Sequence, residues 1–535
     1  GYFEGLIKTY LLDNQHRSAI LLYPDQEWDK KQAEEEQKRL ARVIADLDTR
    51  ARESIVANTQ KLRLLQETPD KPEDLAKIPH LQVKDLPRQV VEIEQGLLKN
   101  LPVPVYFHPQ PTGGICYLDA HLNIQAVPDT LLPLIPLLGR AMLEMGNARR
   151  DFIELNMDIA RTTGGIDSEL ALLSKLGTRE SLGSLCVSGK AAPDKIELIF
   201  ALLAELMLET SLDNQEHFCR MLFEEKARLE HGLVPAGHML VSGRLKAGGS
   251  ISGLLAERAS GVSYLEFIRK LADDATVAWP GVLARLEELR KILLNRNALT
   301  LNVIAQAEQK ELVSAQAKQL AMKLPALDLD PINRARGVFS QKEALLVPAQ
   351  VNFVGKGLNI FDRGYSFHGS ALVILKYLRT GFLWEKIRVQ GGAYGAFASL
   401  DRFTGDFVFA SYRDPNIGST LQAFDESMHY LATHKPGRSE LDASIIGAVG
   451  ELDTYLLPEA KGKVAFARSL TGNTREIRAK TRAEVLGASA AHFKAFGEFM
   501  VDALPQAREV ALGGQSLEEY AVKNKAQGWL VNRLL

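Results

Sequence analysis

Apolar residues recur along this chain with two distinct periods. Over 115–127 they alternate. Cys116, Leu118, Ala120, Leu122 and Ile124 share one face, and Ile115, Tyr117, Asp119, His121 and Asn123 the other, as in a strand with one buried side. Residues 131–145 are instead densely apolar and read as a helix, as do 152–161, 196–206, 214–230, 264–272 and 279–294. Strands are expected at 185–188 and 298–304, with a helix from there to about residue 323. A second run of the same texture follows 324–331. It has strands at 343–347, 350–356, 405–412 and 509–512, and helices at 370–380, 420–433 and 439–455.

The stretch before residue 100 has a different pattern. Residues 1–23 are apolar in blocks and read as a helix end followed by a strand over 18–22. From Pro24 and Asp25 to Glu67 the chain is strongly charged, with Leu40, Val43, Ile44, Leu47 and Ile55 at helical spacing. One or two long solvated helices are expected there. Prolines 69, 72, 79, 87, 102, 104 and 109 then mark an extended strap, because each removes a backbone donor and fixes φ. The expected organisation is α+β. A strand, the charged helical segment and the strap span 1–100, and two similar units of mixed sheet and helices span 101–330 and 331–535.

The two units rhyme. In each, a strand, an apolar helix and a second helix lead to an arginine and a glycine pair: Arg161-Thr-Thr-Gly164-Gly165 and Arg388-Val-Gln-Gly391-Gly392. Internal duplication is the simplest account. Tyr394 in the second copy falls where the first has Asp167. The stretch 383–396, LWEKIRVQGGAYGA, thus sets a fixed cation, Arg388, six residues before a phenol, Tyr394, with permissive glycine between. Such a pair can stabilise charge developing on a substrate oxygen. The alternative is an amphipathic helix, anchored by Leu383 and Ile387, that ends at glycines and turns into a strand with Tyr394 on its rim.

Composition narrows the classes. The chain has 535 residues and a net charge of −2. It offers neither the basic footprint of a nucleic-acid binder nor a polybasic membrane anchor, and no apolar run is long enough to span a membrane. Three dispersed cysteines, Cys116, Cys186 and Cys219, suit a reducing compartment better than a disulfide framework. The chain begins Gly1-Tyr2-Phe3-Glu4 with no initiator Met or signal pattern, and is expected to be a piece of a longer polypeptide.

No H-E-x-x-H, H-x-x-E-H or C-x-x-C occurs, so the usual zinc-ligand spacings are missing. His217 and His231 on one expected helix would stand about 21 Å apart at 1.5 Å rise per residue, too far to share a metal. There is no nucleophile elbow, no Walker loop and no dinucleotide fingerprint. The glycine-rich run 243–253, GRLKAGGSISG, lacks the preceding strand a phosphate loop needs, and is expected to be a mobile loop. Cys186, in an apparent strand, reads as a buried inert thiol.

Several blocks, in order, resemble the presequence-protease branch of the pitrilysin/insulinase-type zinc metallopeptidases. They include YLLDNQHR (10–17), QETPD (66–70), LLPLIPLLGRAMLEMG (131–146) and ELNMDIARTTGGI (154–166). SYLEFI (263–268), VNFVGKGLNIF (351–361), RVQGGAYGAF (388–397), SYRDPN (411–416) and LDTYLLPEAKG (452–462) continue the match. The resemblance implies four similar α+β domains in two halves joined by a helical hairpin and closing around a peptide. This chain resembles the hairpin with the third and fourth domains. The zinc and its inverted H-x-x-E-H ligands are then expected in an N-terminal half, this chain's partner, and no metal is expected here. By the same resemblance, Arg388 and Tyr394 match an arginine and a tyrosine that reach across to the zinc site, bind substrate and stabilise the tetrahedral intermediate. Implied substrates are targeting peptides and other unstructured chains. The compartment expected is a bacterial cytoplasm, or alternatively a mitochondrial matrix. The competing function is a non-catalytic peptide-binding or scaffold protein on the same fold, which would have no use for the Arg388–Tyr394 pair.

Overall fold

Charge and solvation shape the N-terminal part of the computed structural model, which describes residues 1–23, 25, 27–68, 71–75 and 77–535. The chain divides into two compact units, Gly1–His80 and Leu81–Leu535. In the first, Tyr2–Ile7 is helical and runs on as a wider turn, Lys8–Leu12. Two 19-residue helices follow, Trp28–Asp46 and Thr49–Glu67. The second begins at Asp48, whose carboxylate accepts from the Ala51 amide at 2.6 Å. Both helices are solvated as the charge pattern predicts, and Leu40, Val43, Ile44 and Ile55 stay about half exposed. Pro24, at the start of the charged segment, and Pro69 and Asp70, in the strap and the QETPD block, lie outside the described residues. The strand expected over 18–22 does not form, since among the described residues of this unit no strand is there to pair with it.

The larger unit holds two six-stranded mixed sheets. The first is built from β1 (Gly96–Leu97), β2 (Val105–Pro109), β3 (Cys116–Asn123), β4 (Ile166–Ser174), β5 (Ser181–Ala191) and β6 (Leu299–Ala305), in the order β1-β2-β6-β3-β5-β4. The second is built from β7 (Lys342–Leu346), β8 (Phe353–Asn359), β9 (Gly395–Leu400), β10 (Asp406–Tyr412), β11 (Arg508–Gly513) and β12 (Trp529–Arg533), in the order β12-β7-β11-β8-β10-β9. Setting β2 on β7, β6 on β11, β3 on β8, β5 on β10 and β4 on β9 superposes the pairing senses. One parallel pair is followed by three antiparallel ones in each sheet. The duplication inferred from the arginine and glycine pairs is therefore a duplication of topology. Only the outer strands differ, β1 running antiparallel to β2 and β12 parallel to β7.

On the first sheet the alternation resolves as expected. Cys116, Leu118, Ala120 and Leu122 are fully buried in the core with the helices Ile135–Glu144 and Ile196–Leu208. The opposite face, bearing Asp119 and His121, is covered in part by the helix Pro458–Thr471, where a Cβ on Gly462 would meet Ile304 at 2.0 Å. A helix from the first half covers the second sheet in turn. Val241 and Leu245 pack on Leu345, Phe353, Val408 and Val510.

That helix corrects one expectation. The glycine-rich run 243–253 is no mobile loop: it lies in the helices Gly237–Gly249 and Ile251–Ser260, the second capped by Ser250. Gly248 and Gly249 permit close approach rather than motion. A Cβ on Gly249 would stand 2.1 Å from Asp406 Oδ1. The same helix carries Arg244, whose guanidinium pairs with Glu343 (2.8 and 2.7 Å) and Glu257 (2.8 Å) in the buried core. The stretch 81–95 docks on the same unit, with Val83 and Leu86 against the second core and the Pro87 carbonyl accepting from Arg482 Nε at 2.6 Å.

Candidate functional site

The stretch 383–396 bends because its backbone alternates between anchoring and release. After the helix Ser370–Thr380, residues Trp384–Gln390 form a π-turn. Leu383 and Ile387 are buried in the core, while Trp384 (45% exposed) and Val389 (58%) point outward. Gly392 sits at φ +78°, a left-handed conformation that favours glycine, and its amide reaches the Arg388 carbonyl at 3.0 Å. The chain then enters β9, the outer strand beside β10, with the Tyr394 amide on the Tyr412 carbonyl at 3.0 Å.

Two residues of the turn after β10 brace this bend. Asn416 Nδ2 donates to the Gly391 carbonyl at 2.6 Å. Asp414, fully buried, accepts from the Asn416 amide at 2.9 Å and from Thr420 Oγ1 at 2.7 Å. Burial pushes the Asp414 carboxyl up, and these hydrogen bonds act against that. Arg413, between them and the strand, has φ +48°, a strained conformation for a non-glycine residue.

The structure brings the two sequence-nominated residues together. The Arg388 guanidinium carbon lies 3.9 Å from the Trp384 ring centroid and 5.8 Å from that of Tyr394. Among the described residues no carboxylate lies within 4.0 Å of Arg388. Its charge is held by π-faces and left uncompensated. Tyr394 is 66% exposed, its ring edge-on to Tyr412 at 5.7 Å. Arg413 stacks on Tyr412 at 5.5 Å, His238 meets the same ring at 4.8 Å, and half-exposed Phe397 lies against His238 at 5.6 Å. The result is a largely exposed aromatic face carrying two guanidiniums and a phenol, donors suited to a carbonyl oxygen that gains negative charge.

Sequence reading missed Trp384, Arg413, Phe397 and His238. Trp384 precedes Arg388 by four residues on a helical turn, a spacing that was visible. Arg413 and His238 arrive by tertiary folding, which no local spacing announces. The first copy differs. Gly165 is also left-handed (φ +109°), but Arg161 pairs with Asp158 at 2.5 Å. Asp167 stands on β4. His217 and His231 share the helix Gln215–Gly232, the former against Phe152.

Two family models match. One, the associated domain of peptidase family M16, subfamily C, covers residues 22–271, and the other, "PreP C-terminal domain", covers 342–512. Presequence protease 1, chloroplastic/mitochondrial, of Arabidopsis thaliana is 34% identical over 503 residues, covering 93% of this chain and 46% of that protein. The chain belongs to the pitrilysin-like peptidases, as a C-terminal half. Protein HypA of Clostridium perfringens is 29% identical, covering 98% of this chain and 53% of its own length. The chain thus spans about half the length of the curated relatives it matches. Among solved structures, the peptidase M16 inactive domain from Pseudomonas fluorescens has the same fold, with TM-score 0.55 and 15% identity over 79% of this chain and 98% of that one. Pitrilysin aligns with TM-score 0.54 and 14% identity over 84% of this chain and 47% of its own.

Peptidases of this family are generally zinc-dependent. The described residues do not fit a zinc ion, for no three His, Cys, Asp or Glu side chains converge to hold one. His121 lies beside Cys186 (Nε2 to Sγ 3.7 Å), two residues from Asp119 on one strand. Its Nδ1 is taken by Ser184 Oγ at 2.9 Å, and burial pushes the Cys186 thiol far up, away from the thiolate a metal needs. No helix among the described residues is long and apolar enough to cross a membrane.

Proposed function

We propose that this chain is the C-terminal half of a zinc metalloendopeptidase acting on unstructured, targeting-type peptides, and that Arg388 and Tyr394 bind the scissile carbonyl as it gains charge. The single observation that carries this reading is the uncompensated Arg388 guanidinium. It is fixed at 3.9 Å from the Trp384 ring, has no carboxylate partner among the described residues, and has the Tyr394 phenol beside it. A cation without a partner on an open wall is a poor structural device and a good oxyanion ligand.

Zinc, its ligands and the nucleophile belong, on this reading, to an N-terminal partner half. Dividing donors and metal between halves makes turnover depend on closure, which excludes water and completes the site. The exposed rings of Trp384, Tyr394 and Phe397 suit contact with an extended peptide rather than a folded surface. The domain limits we favour are 101–330 and 331–535, a reading supported by β2–β6 and β7–β12, with β1 (Gly96–Leu97) joining the first sheet from before residue 101, and the compartment we favour is the bacterial cytoplasm.

The test is hydrolysis of a fluorogenic unstructured peptide by this chain alone, and after addition of a zinc-bearing N-terminal half. Activity confined to the mixture and abolished by a chelator supports the reading. Tight peptide binding with no hydrolysis in the mixture moves the chain to the scaffold class. Hydrolysis by this chain alone refutes the division of labour.

A further inference from the structure

Away from the Arg388 wall, four arginines crowd one cavity. Its volume is 490 Å³, and it is bounded by residues 87–93 of the docked strap and by the helices Arg438–Leu452, Pro458–Thr471 and Arg475–Leu486. Arg402, Arg468, Arg478 and Arg482 line it together with Lys461. Arg482 is satisfied. It grips Asp453 through two hydrogen bonds (2.7 and 2.5 Å) and the Pro87 carbonyl through a third. Glu451, the other lining carboxylate, is engaged from outside the cavity by Lys376 and Arg379, each at 3.1 Å.

The remaining cations are not balanced. Arg478 reaches Glu92 and the Asn473 carbonyl, yet its Nε is buried and finds no acceptor. Among the described residues, Arg402, Lys461 and Arg468 have no carboxylate within 4.0 Å and donate to no described acceptor. Arg402 has only the Phe403 ring, at 5.1 Å. Burial first, and then the neighbouring Arg478 charge, push the Arg468 guanidinium down. Burial does the same at Arg402, with Asp401 opposing and Arg478 adding to it. Five cations face two lining carboxylates, and Glu92 beside Arg478 brings a third. With Asp401 acting on Arg402 as well, the lining still carries a net positive charge, a costly arrangement unless an anion enters.

We infer that this cavity binds a small multivalent oxyanion of the phosphate class, held by Arg402, Arg468 and the free Nε of Arg478. Guanidinium forks match phosphate oxygens in pairs, and a doubly charged group offsets more of that charge than a single carboxylate does. The apolar wall of Val90, Val91 and Ile93 leaves room for a group attached to the phosphate. This inference stands independently of the peptidase reading, and either can fail alone.

The experiment titrates this 535-residue chain with inorganic pyrophosphate and, in parallel, adenosine diphosphate, by calorimetry and thermal melting against sodium chloride at matched ionic strength. Saturable binding and a raised Tm with the phosphates, but not the chloride, are expected. A tighter fit for the diphosphate nucleotide identifies a phosphate ester as the ligand, and equal affinity identifies free phosphate. The double variant Arg402→Gln, Arg468→Gln should weaken Kd by about tenfold or more. It should also melt above the parent without ligand, because it removes like-charge repulsion that a merely structural pair would not show. Absent saturable binding, an equal chloride effect, or a variant that binds as the parent does would overturn the site. So would binding of an acidic peptide in preference to both phosphates.

Discussion

Removing only the Tyr394 hydroxyl isolates the chemistry from the fold. The ring is 66% exposed and makes its contacts through its faces and edge, at 5.7 Å to Tyr412 and 5.8 Å to the Arg388 guanidinium. Tyr394→Phe keeps those contacts, so stability should change by no more than about 0.5 kcal/mol, as for an exposed substitution. If the hydroxyl donates to a developing oxyanion, kcat should drop by about 10²–10³, the loss typical of one such donor. Arg388→Ala should cost more. It removes a charge-assisted donor with no carboxylate to absorb it, and it frees the Trp384 face 3.9 Å away. The assay is steady-state hydrolysis by the reconstituted halves, with melting curves of each variant. Unchanged turnover in Tyr394→Phe, or a smaller loss in Arg388→Ala than in Tyr394→Phe, refutes the assignment. A fall in Tm that accounts for the lost rate refutes it equally.

Three further outcomes follow from packing and charge. Arg244→Met leaves buried Glu257 without its cation and Glu343 with only Arg508 at 3.9 Å, and should cost about 3–5 kcal/mol; an unfolding midpoint that does not move refutes the weight given to Arg244. Gly249→Ala drives a Cβ to 2.1 Å from Asp406 Oδ1 and should destabilise by about 1–3 kcal/mol. Gly243→Ala, with open space around its Cβ in the same helix, should stabilise by up to about 1 kcal/mol, and equal melting shifts for the two would contradict the close packing. Burial, and then the Lys463 charge, hold the His121 ring down to about 4. Below about pH 6.5 the unfolded chain takes up this proton first, so stability should fall from there toward pH 4 by up to about 3 kcal/mol. His121→Gln should flatten that slope, and an unchanged slope excludes His121 as its source.

What the sequence disclosed was local. The buried face of β3, the solvated helices of the first unit and the helix Ser370–Thr380 all follow from period alone. β4 escaped because IDSELALLS is rich in helix formers, and only pairing with β5 makes it extended. β12 escaped because five residues at an outer edge carry little pattern. Gly243–Gly253 misled for a related reason. Glycine weakens a helix in isolation, but at Gly248 and Gly249 the strand residues Arg508 and Asp406 leave no room for a side chain. At the candidate site, Arg388 and Tyr394 were legible as a pair within one turn. Their aromatic surroundings were not, since His238 comes from the other half of the duplication.

The duplication also explains why the chemistry is assigned to one copy. Both halves use the same frame, an arginine turn closed by a left-handed second glycine, Gly165 or Gly392, beside an outer strand. In the first frame the arginine is answered locally. Arg161 lies 2.5 Å from Asp158, and Asp167 adds a second negative charge where the other copy has a phenol. Lys195 Nζ also donates to the Arg161 carbonyl at 2.8 Å, so that frame carries charge of both signs. In the second frame no described carboxylate answers Arg388, Trp384 and Tyr394 supply polarisable faces, and Arg413 adds a further cation over Tyr412. The backbone frame is shared between copies, but only in the first does a carboxylate pair with the arginine. Electrostatic preorganisation depends on the charges beside the developing oxyanion, so replacing Tyr394 with Asp, the residue of the first copy, should lower kcat further than Tyr394→Phe does. If the aspartate variant turns over as well as the phenylalanine one, the field of this wall has no part in the reaction.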